Sequence, residues 1–211
     1  MPRFARGSAP WLAVPAAALA AGALAAYFLD QWGWALAAVA GVVLAFFLVF
    51  FRDPEREPGP AVVSPADGRV VRLDRLEDPD LGPADRLCIF MSPRDVHVNR
   101  FPFEGRVVDV RRRAGGHVPA FNKDADRNER VETLLQTPLG PLKVVQIAGT
   151  VARRIVPYAR PGDKAPKGGR MGLIRLGSRC DVITPAGRLS YVVQVGSRVR
   201  AGESTIAEAA P

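Results

Sequence analysis

The sequence predicts a mainly β (α+β) soluble domain with barrel-sandwich-like elements, preceded by an N-terminal hydrophobic helical hairpin. Two long apolar runs occupy the first quarter of the 211-residue chain, and the remainder consists of short apolar runs between Gly and Pro. An apolar fraction of 48% excludes wholesale disorder. We place the boundary after residue 52, which gives a hairpin of residues 1–52 and a β-rich domain of residues 53–211.

The two apolar runs lie near Trp11–Leu29 and Trp32–Phe51. An α-helix of about 20 residues rises about 30 Å, which matches the hydrocarbon core of a bilayer. Only Asp30 and Gln31 separate the runs, so they predict a hairpin with both ends on one side of the membrane. A cleaved signal peptide is a competing interpretation of the first run, but the second run would still anchor the protein.

Basic residues flank the hairpin on both sides: Arg3 and Arg6 precede it, and Arg52 and Arg56 follow it. The positive-inside rule therefore places the β-rich domain on the cytoplasmic side of the cell membrane. The net charge of +8 favours contact with anionic lipid headgroups, and no nucleic-acid partner is expected.

Cysteine and histidine are scarce, because the chain has only Cys88, Cys180, His97 and His117. The cysteines are far apart in sequence and form no CxxC pair. We therefore expect neither a metal site nor a disulfide framework.

The β-rich domain is predicted from short runs with many β-branched residues. These runs are Ala61–Val63, Arg69–Leu73, Leu87–Met91, Gly105–Val110, Val131–Thr137, Leu142–Ile147 and Arg188–Val195. Residues 161–168 and 195–203 share a Gly-bounded turn that resembles the hammerhead turns of biotinyl and lipoyl carrier domains, which suggests a barrel-sandwich arrangement. A swinging-arm carrier is disfavoured, since no lysine occupies a carrier-type Met-Lys turn.

Three reactive residues stand beside turn-forming residues: Asp67 in SPADG, His97 in MSPRDVHVNR and Ser178 in GLIRLGSRCDV. Asp, His and Ser are the components of an activated hydroxyl nucleophile, in which His accepts the Ser proton and Asp orients the imidazole. Taken singly, each residue also suits a structural role in a turn or at a strand end.

Five motifs occur in order: SPADG, FMSPRDVHVNR, NER, QIAGTVARRIV and GLIRLGSRCDV. From about Arg52 to Pro185 the chain resembles phosphatidylserine decarboxylase proenzymes of the short, bacterial and archaeal type. The resemblance implies autocatalytic cleavage between Gly177 and Ser178, through an N-to-O acyl shift and β-elimination. The products would be a large chain, residues 1–177, and its partner, a small chain of residues 178–211.

The resemblance also implies a covalent pyruvoyl group derived from Ser178. This group would bind the amine of phosphatidylserine as a Schiff base and accept the electrons released as carbon dioxide departs, giving phosphatidylethanolamine. Because a two-chain lipid stays in the bilayer, the hairpin would bring the enzyme to its substrate.

Longer family members carry a second histidine three residues after the first, and Arg100 stands in its place here. Arginine cannot act as a general base near neutral pH. We therefore expect His97 to serve both cleavage and decarboxylation, with Asp67 as its orienting carboxylate; a contribution from His117 is the alternative. Four further residues are expected to contact the substrate: His117, Arg100, Arg130 and Phe101.

Three other interpretations remain open. The same decarboxylation could act on another lipid backbone, such as an archaetidylserine. The chain could instead be a membrane-anchored adaptor of the membrane-fusion or carrier type, or a general serine hydrolase that uses Asp67, His97 and Ser178 on a substrate. The last two predict an intact chain, whereas a decarboxylase predicts a break at Gly177–Ser178. The sequence leaves open whether the protein is a homo-oligomer.

Overall fold

The computed structural model describes residues 3–116, 118–119, 123–149, 154–175 and 178–210. Two of the predicted site residues, His117 and Gly177, lie outside these ranges. The chain divides into two units, Met1–Pro54 and Glu55–Pro211.

The first unit is a helical hairpin. Helix α1 spans Ala9–Phe28 and α2 spans Trp32–Phe50, while two short strands, β1 (Arg3–Phe4) and β2 (Arg52–Asp53), pair antiparallel at the open end. Both helices are long and apolar enough to cross a bilayer, judged by length and composition. The helices pack closely at Gly22, where an added Cβ would lie 2.6 Å from the backbone nitrogen of Ala37.

Among its described residues, the second unit has fourteen strands and one 3₁₀ helix, Lys123–Arg127. The strands are β3 (Val62–Val63), β4 (Gly68–Asp78), β5 (Gly82–Met91), β6 (Val98–Arg100), β7 (Gly105–Arg113), β8 (Arg130–Thr137), β9 (Gly140–Ile147), β10 (Ile155–Pro157), β11 (Lys164–Ala165), β12 (Arg170–Ile174), β13 (Ser178–Pro185), β14 (Leu189–Tyr191), β15 (Arg198–Val199) and β16 (Thr205–Ala209).

These strands form one large antiparallel sheet and two small ones. The eight-stranded sheet has the order β11-β7-β8-β9-β13-β5-β4-β15. The three-stranded sheets have the orders β10-β12-β6 and β14-β16-β3. The prediction of a mainly β domain after an apolar helical hairpin is confirmed.

Strand β13 lies in the middle of the large sheet, between β9 and β5, and nearly all of it is buried. Cys180 and Val182 on one face belong to the main hydrophobic core, while Ile183 on the other face joins a smaller apolar cluster. Side chains alternate between the two faces of a strand. Strand β13 is therefore packed on both faces, and its residues 179–183 pair with a neighbouring strand on each edge, while Ser178 pairs with β5.

Candidate active site

The sheet topology brings two of the predicted site residues near the same strand end. Strand β5 of the large sheet leads through residues 92–97 to β6 of a small sheet, and β12 of that small sheet precedes β13 of the large one. Ser178 pairs with Met91, the last residue of β5. The backbone N–H of Ile174 donates to the carbonyl oxygen of His97 at 3.3 Å. His97 therefore lies beside the end of the strand that precedes Ser178 in the chain.

Ser178 is the first residue of β13, and its side chain is completely buried. By strand alternation it shares the face of Cys180 and Val182, which pack in the core. Within the part of the chain that the structure describes, Ser178 Oγ has no hydrogen-bond partner. Buried polar side-chain atoms are mostly hydrogen-bonded, so this hydroxyl is an exception among buried polar groups.

The imidazole of His97 is completely buried, and its Nδ1 lies 2.9 Å from the carbonyl oxygen of Asp95. A carbonyl oxygen only accepts, so in the neutral ring Nδ1 carries the proton and Nε2 keeps the lone pair that a general base needs. The Asp95 carboxylate accepts the N–H and the hydroxyl of Ser92, at 2.8 and 2.7 Å. The turn of residues 92–95 thus orients the histidine ring.

Asp67 forms a buried ion pair with Arg56, whose two terminal nitrogens donate to the two carboxylate oxygens at 2.5 and 2.9 Å. The carboxylate also accepts the N–H of Ala201 at 2.8 Å and that of Val96 at 3.4 Å. Asp67 thus contacts the residue that precedes His97, while Nδ1 of the ring itself faces the Asp95 carbonyl. A direct orienting role for Asp67 stays a prediction.

A buried amide pair beside the site is absent from the sequence-based prediction. Gln146 Nε2 donates to Asn99 Oδ1 at 2.8 Å, and Asn99 Nδ2 lies 3.6 Å from the sulfur of Met91, the partner of Ser178. Both amides are completely buried. Gln146 is a polar residue between apolar ones in its motif, which is a signal that could have revealed it, whereas Asn99 stands between Val98 and Arg100 and carries no such signal.

On the other face of β13, the residue after Ser178 is a buried arginine. Arg179 donates from Nε and Nη2 to Asp181, both at 2.8 Å, and also pairs with Asp126. Burial opposes ionisation of Asp126, but the charge of Arg179 holds the pKa of that carboxyl below its usual range. Asp126 belongs to the 3₁₀ helix, so this ion pair ties that helix to the start of β13.

Arg130 lies on the same face as Arg179, not on the face of Ser178. It lines a charged cavity of about 240 Å³ together with Arg179. Its guanidinium donates to Glu132 Oε1 at 2.8 Å and to the carbonyl oxygen of Asp126 at 3.0 Å. Its contact with substrate stays a prediction.

Arg100 and Phe101 make contacts inside the protein. Arg100 is buried, and its Nη1 donates to the carbonyl oxygen of Gly168 at 2.9 Å. Phe101 packs in the main hydrophobic core. The structure brings neither side chain to the protein surface, and their predicted contact with substrate also stays a prediction. Across the described ranges, no group of three or more His, Cys, Asp or Glu could hold a metal ion.

Comparison with known proteins identifies the family. A family model for phosphatidylserine decarboxylase matches residues 43–207. The phosphatidylserine decarboxylase proenzyme of Thermobifida fusca is 46% identical over 207 residues, which cover 98% of this chain and 93% of the relative. That of Streptomyces griseus is 48% identical over 206 residues, covering 97% and 93%.

An archaeal protein is also similar. A relative from Methanosarcina acetivorans, with the provisional name archaetidylserine decarboxylase proenzyme, is 43% identical over 210 residues, covering 97% of this chain and 96% of the relative. These matches extend over nearly the whole chain, including the buried Ser178 and His97. The chain belongs to the phosphatidylserine decarboxylase family of carboxy-lyases.

Proposed function

We propose that this protein is a phosphatidylserine decarboxylase proenzyme. It cleaves its own Gly177–Ser178 bond and, with a pyruvoyl group derived from Ser178, converts phosphatidylserine to phosphatidylethanolamine and carbon dioxide. One observation carries this proposal. Ser178 Oγ is completely buried and has no hydrogen-bond partner among the described residues, at the position where the family motif requires a reactive serine.

Self-cleavage begins when Ser178 Oγ attacks the carbonyl carbon of Gly177. The peptide nitrogen leaves as the new amine, so the amide becomes an ester. Loss of the Ser178 Cα proton then breaks the bond between Cβ and the ester oxygen, so the chain is cut and Gly177 leaves as a carboxylate. Residue 178 is now a dehydroalanine, and water replaces its nitrogen with oxygen and releases ammonia. Glycine suits position 177, because a residue without Cβ admits a close approach of the hydroxyl.

His97 is the proposed proton carrier for both stages. With Nδ1–H directed to the Asp95 carbonyl, Nε2 is the basic nitrogen that accepts the Ser178 hydroxyl proton during cleavage. In decarboxylation the same nitrogen delivers a proton to the substrate carbon that has lost its carboxylate. Burial of the ring keeps bulk water from competing for this proton.

A pyruvoyl group fits the position of Ser178. The hydroxyl that is consumed makes no hydrogen bond to the described residues, so its loss breaks none among them. Once formed, the group supplies a ketone for the substrate amine and an electron sink for decarboxylation. Pairing with Met91 and the ion pairs of Arg179 then hold the start of the small chain in place.

The hairpin explains how the enzyme meets a lipid. Removing a two-chain lipid from a bilayer costs about 0.8 kcal/mol per buried methylene, so the reaction takes place at the membrane. The length and composition of the two apolar helices support this anchor, and the flanking arginines support a cytoplasmic catalytic unit by the positive-inside rule.

A second lipid substrate is supported by one comparison. The Methanosarcina relative takes its name from archaetidylserine, whose serine headgroup is the same. Family membership argues against the adaptor and the general hydrolase, since neither needs a break at Gly177–Ser178.

The proposal is tested with detergent-solubilised full-length protein and vesicles that contain either phosphatidylserine or archaetidylserine. Wild-type protein is expected to form the ethanolamine lipid, and Ser178→Ala to form none. His97→Gln is expected to lower both cleavage and turnover by about 10²- to 10⁴-fold, the usual contribution of a general acid–base. Arg188→Gln is the matched control, because Arg188 is exposed beyond the far end of β13. Product formed by uncut protein would overturn the proposal.

A further inference from the structure

Two arginines face each other just beyond the paired ends of β10 and β12. Ile155 pairs with Ile174, and the N–H of Arg175 donates to the carbonyl oxygen of Arg154 at 3.3 Å. Arg154 is therefore opposite Arg175. Directly opposed residues of antiparallel strands have Cβ atoms about 4.5–5.5 Å apart on one face. Because both isoleucines point into the core, the two arginines are directed to the other face.

The two positively charged guanidinium groups repel each other. Arg154 is exposed and Arg175 is half-buried. Burial, and after it the charge of Arg154, lower the pKa of Arg175. An anion between the two groups would offset this repulsion, and a guanidinium matches a phosphate oxygen pair with two parallel hydrogen bonds.

The arginine pair lies within reach of the reacting residue. Arg175 precedes Ser178 by three residues, so their Cα atoms are at most about 11 Å apart. In a phosphoserine headgroup, two carbons and an ester oxygen separate the amine from the phosphorus. An amine held at residue 178 therefore places its phosphodiester in the space that the side chains of Arg175 and Arg154 can reach.

We propose that Arg154 and Arg175 bind the phosphodiester of the lipid headgroup and so position its amine at residue 178. This inference rests on the proposed function, because it takes residue 178 as the reacting position. It assigns the two arginines to substrate binding and leaves cleavage of the proenzyme to His97 and Ser178.

The test measures how readily the ketone of residue 178 binds an amine that has no carboxylate and therefore cannot be decarboxylated. Glycerophosphoethanolamine carries the amine and the phosphodiester, and ethanolamine carries the amine alone. Either amine adds to the ketone of residue 178 with loss of water, and cyanoborohydride then supplies the hydride that reduces the carbon–nitrogen double bond. The mass of the small chain reports the stable secondary amine.

Wild-type protein is expected to capture glycerophosphoethanolamine at a concentration about 10- to 100-fold lower than ethanolamine, as charge-assisted hydrogen bonds to one phosphodiester imply. Arg154→Gln/Arg175→Gln is expected to lose this preference while it captures ethanolamine as wild type does. Substitution of both residues by lysine restores part of the preference. Arg188→Gln, beyond the other end of β13, keeps all of this preference.

Three outcomes separate the possible failures. A double glutamine variant that is cleaved normally and keeps the preference overturns the inference alone. A wild-type protein without cleavage or capture overturns the proposed function. If inorganic phosphate at equal concentration removes the preference completely, the pair binds free phosphate and the headgroup assignment is wrong. Should the double variant fail to fold, Arg154→Gln carries the test, since Arg154 is exposed.

Discussion

The buried Arg56–Asp67 ion pair gives the sharpest prediction about how the site is held. The two side chains are only 7% and 11% exposed, and the carboxylate also accepts two backbone N–H groups. Removing one partner of such a pair leaves an uncompensated buried charge and costs about 3–5 kcal/mol. We therefore expect Arg56→Met and Asp67→Asn each to lower the free energy of unfolding by an amount of this order. The double variant should lose less free energy of unfolding than the two single variants lose together.

The pair also determines what each substitution does to self-cleavage. Asp67 contacts the N–H of Val96, which precedes His97, and Arg56 holds that carboxylate in place. If the two residues act as a unit, Arg56→Met and Asp67→Asn slow cleavage to a similar extent, and the double variant is no slower than either.

The assay has two parts. Cleavage is followed by the fraction of small chain formed with time after cell-free synthesis into nanodiscs. Unfolding is followed by far-ultraviolet circular dichroism in a Ser178→Ala background, because all three tryptophans lie in the hairpin and do not report on the β unit. If Arg56→Met is cleaved at the wild-type rate and Asp67→Asn is not, Asp67 acts on His97 directly and the two residues do not act as a unit.

Two further substitutions test the packing around the site. Gly172→Ala places a Cβ at 2.7 Å from Nε2 and 2.8 Å from Oε1 of Gln146, so it should lower the free energy of unfolding by about 1–3 kcal/mol; an unchanged denaturant midpoint would contradict this. Lys143→Met leaves two carboxylates without the cation that lies 2.6 Å from Asp78 Oδ1 and 2.5 Å from Asp80 Oδ2. We expect a loss of about 3–5 kcal/mol near neutral pH. The hydrogen bond from Lys143 lowers the pKa of Asp80. The stabilisation from this ion pair is therefore complete above the ordinary pKa of 3.8 and is lost as the pH falls through the lower pKa of the folded state. The difference in free energy of unfolding between wild type and Lys143→Met should therefore become smaller in acid. A difference that stays constant with pH would argue against the ion pair.

Features encoded by local sequence could be predicted. The two helices follow from runs of apolar residues long enough to span a bilayer, and the structure begins and ends them within a few residues of the predicted positions. The strands follow from β-branched runs between turn residues. Ser178 and His97 are predicted as site residues because they are reactive residues inside ordered motifs, and their catalytic roles stay predictions.

Contacts between distant segments could not be predicted. The sequence motif of Arg100 gives no sign that its guanidinium donates to the carbonyl oxygen of Gly168, 68 positions along the chain. Asn99 and Gln146 are 47 positions apart and meet only because two sheets bring them together. Such pairings depend on strand order and register, which a single sequence does not specify.

Self-cleavage at Ser178 is tested most directly by the intact mass of the purified protein beside that of a Ser178→Ala variant. Self-cleavage should give two fragments from the wild type, residues 1–177 and 178–211, with the smaller one lighter than a serine-initiated chain by the mass of ammonia. The variant should remain a single chain of 22.7 kDa apart from the lost oxygen. A wild-type preparation that decarboxylates phosphatidylserine and yet consists of one uncut chain would contradict the central claim.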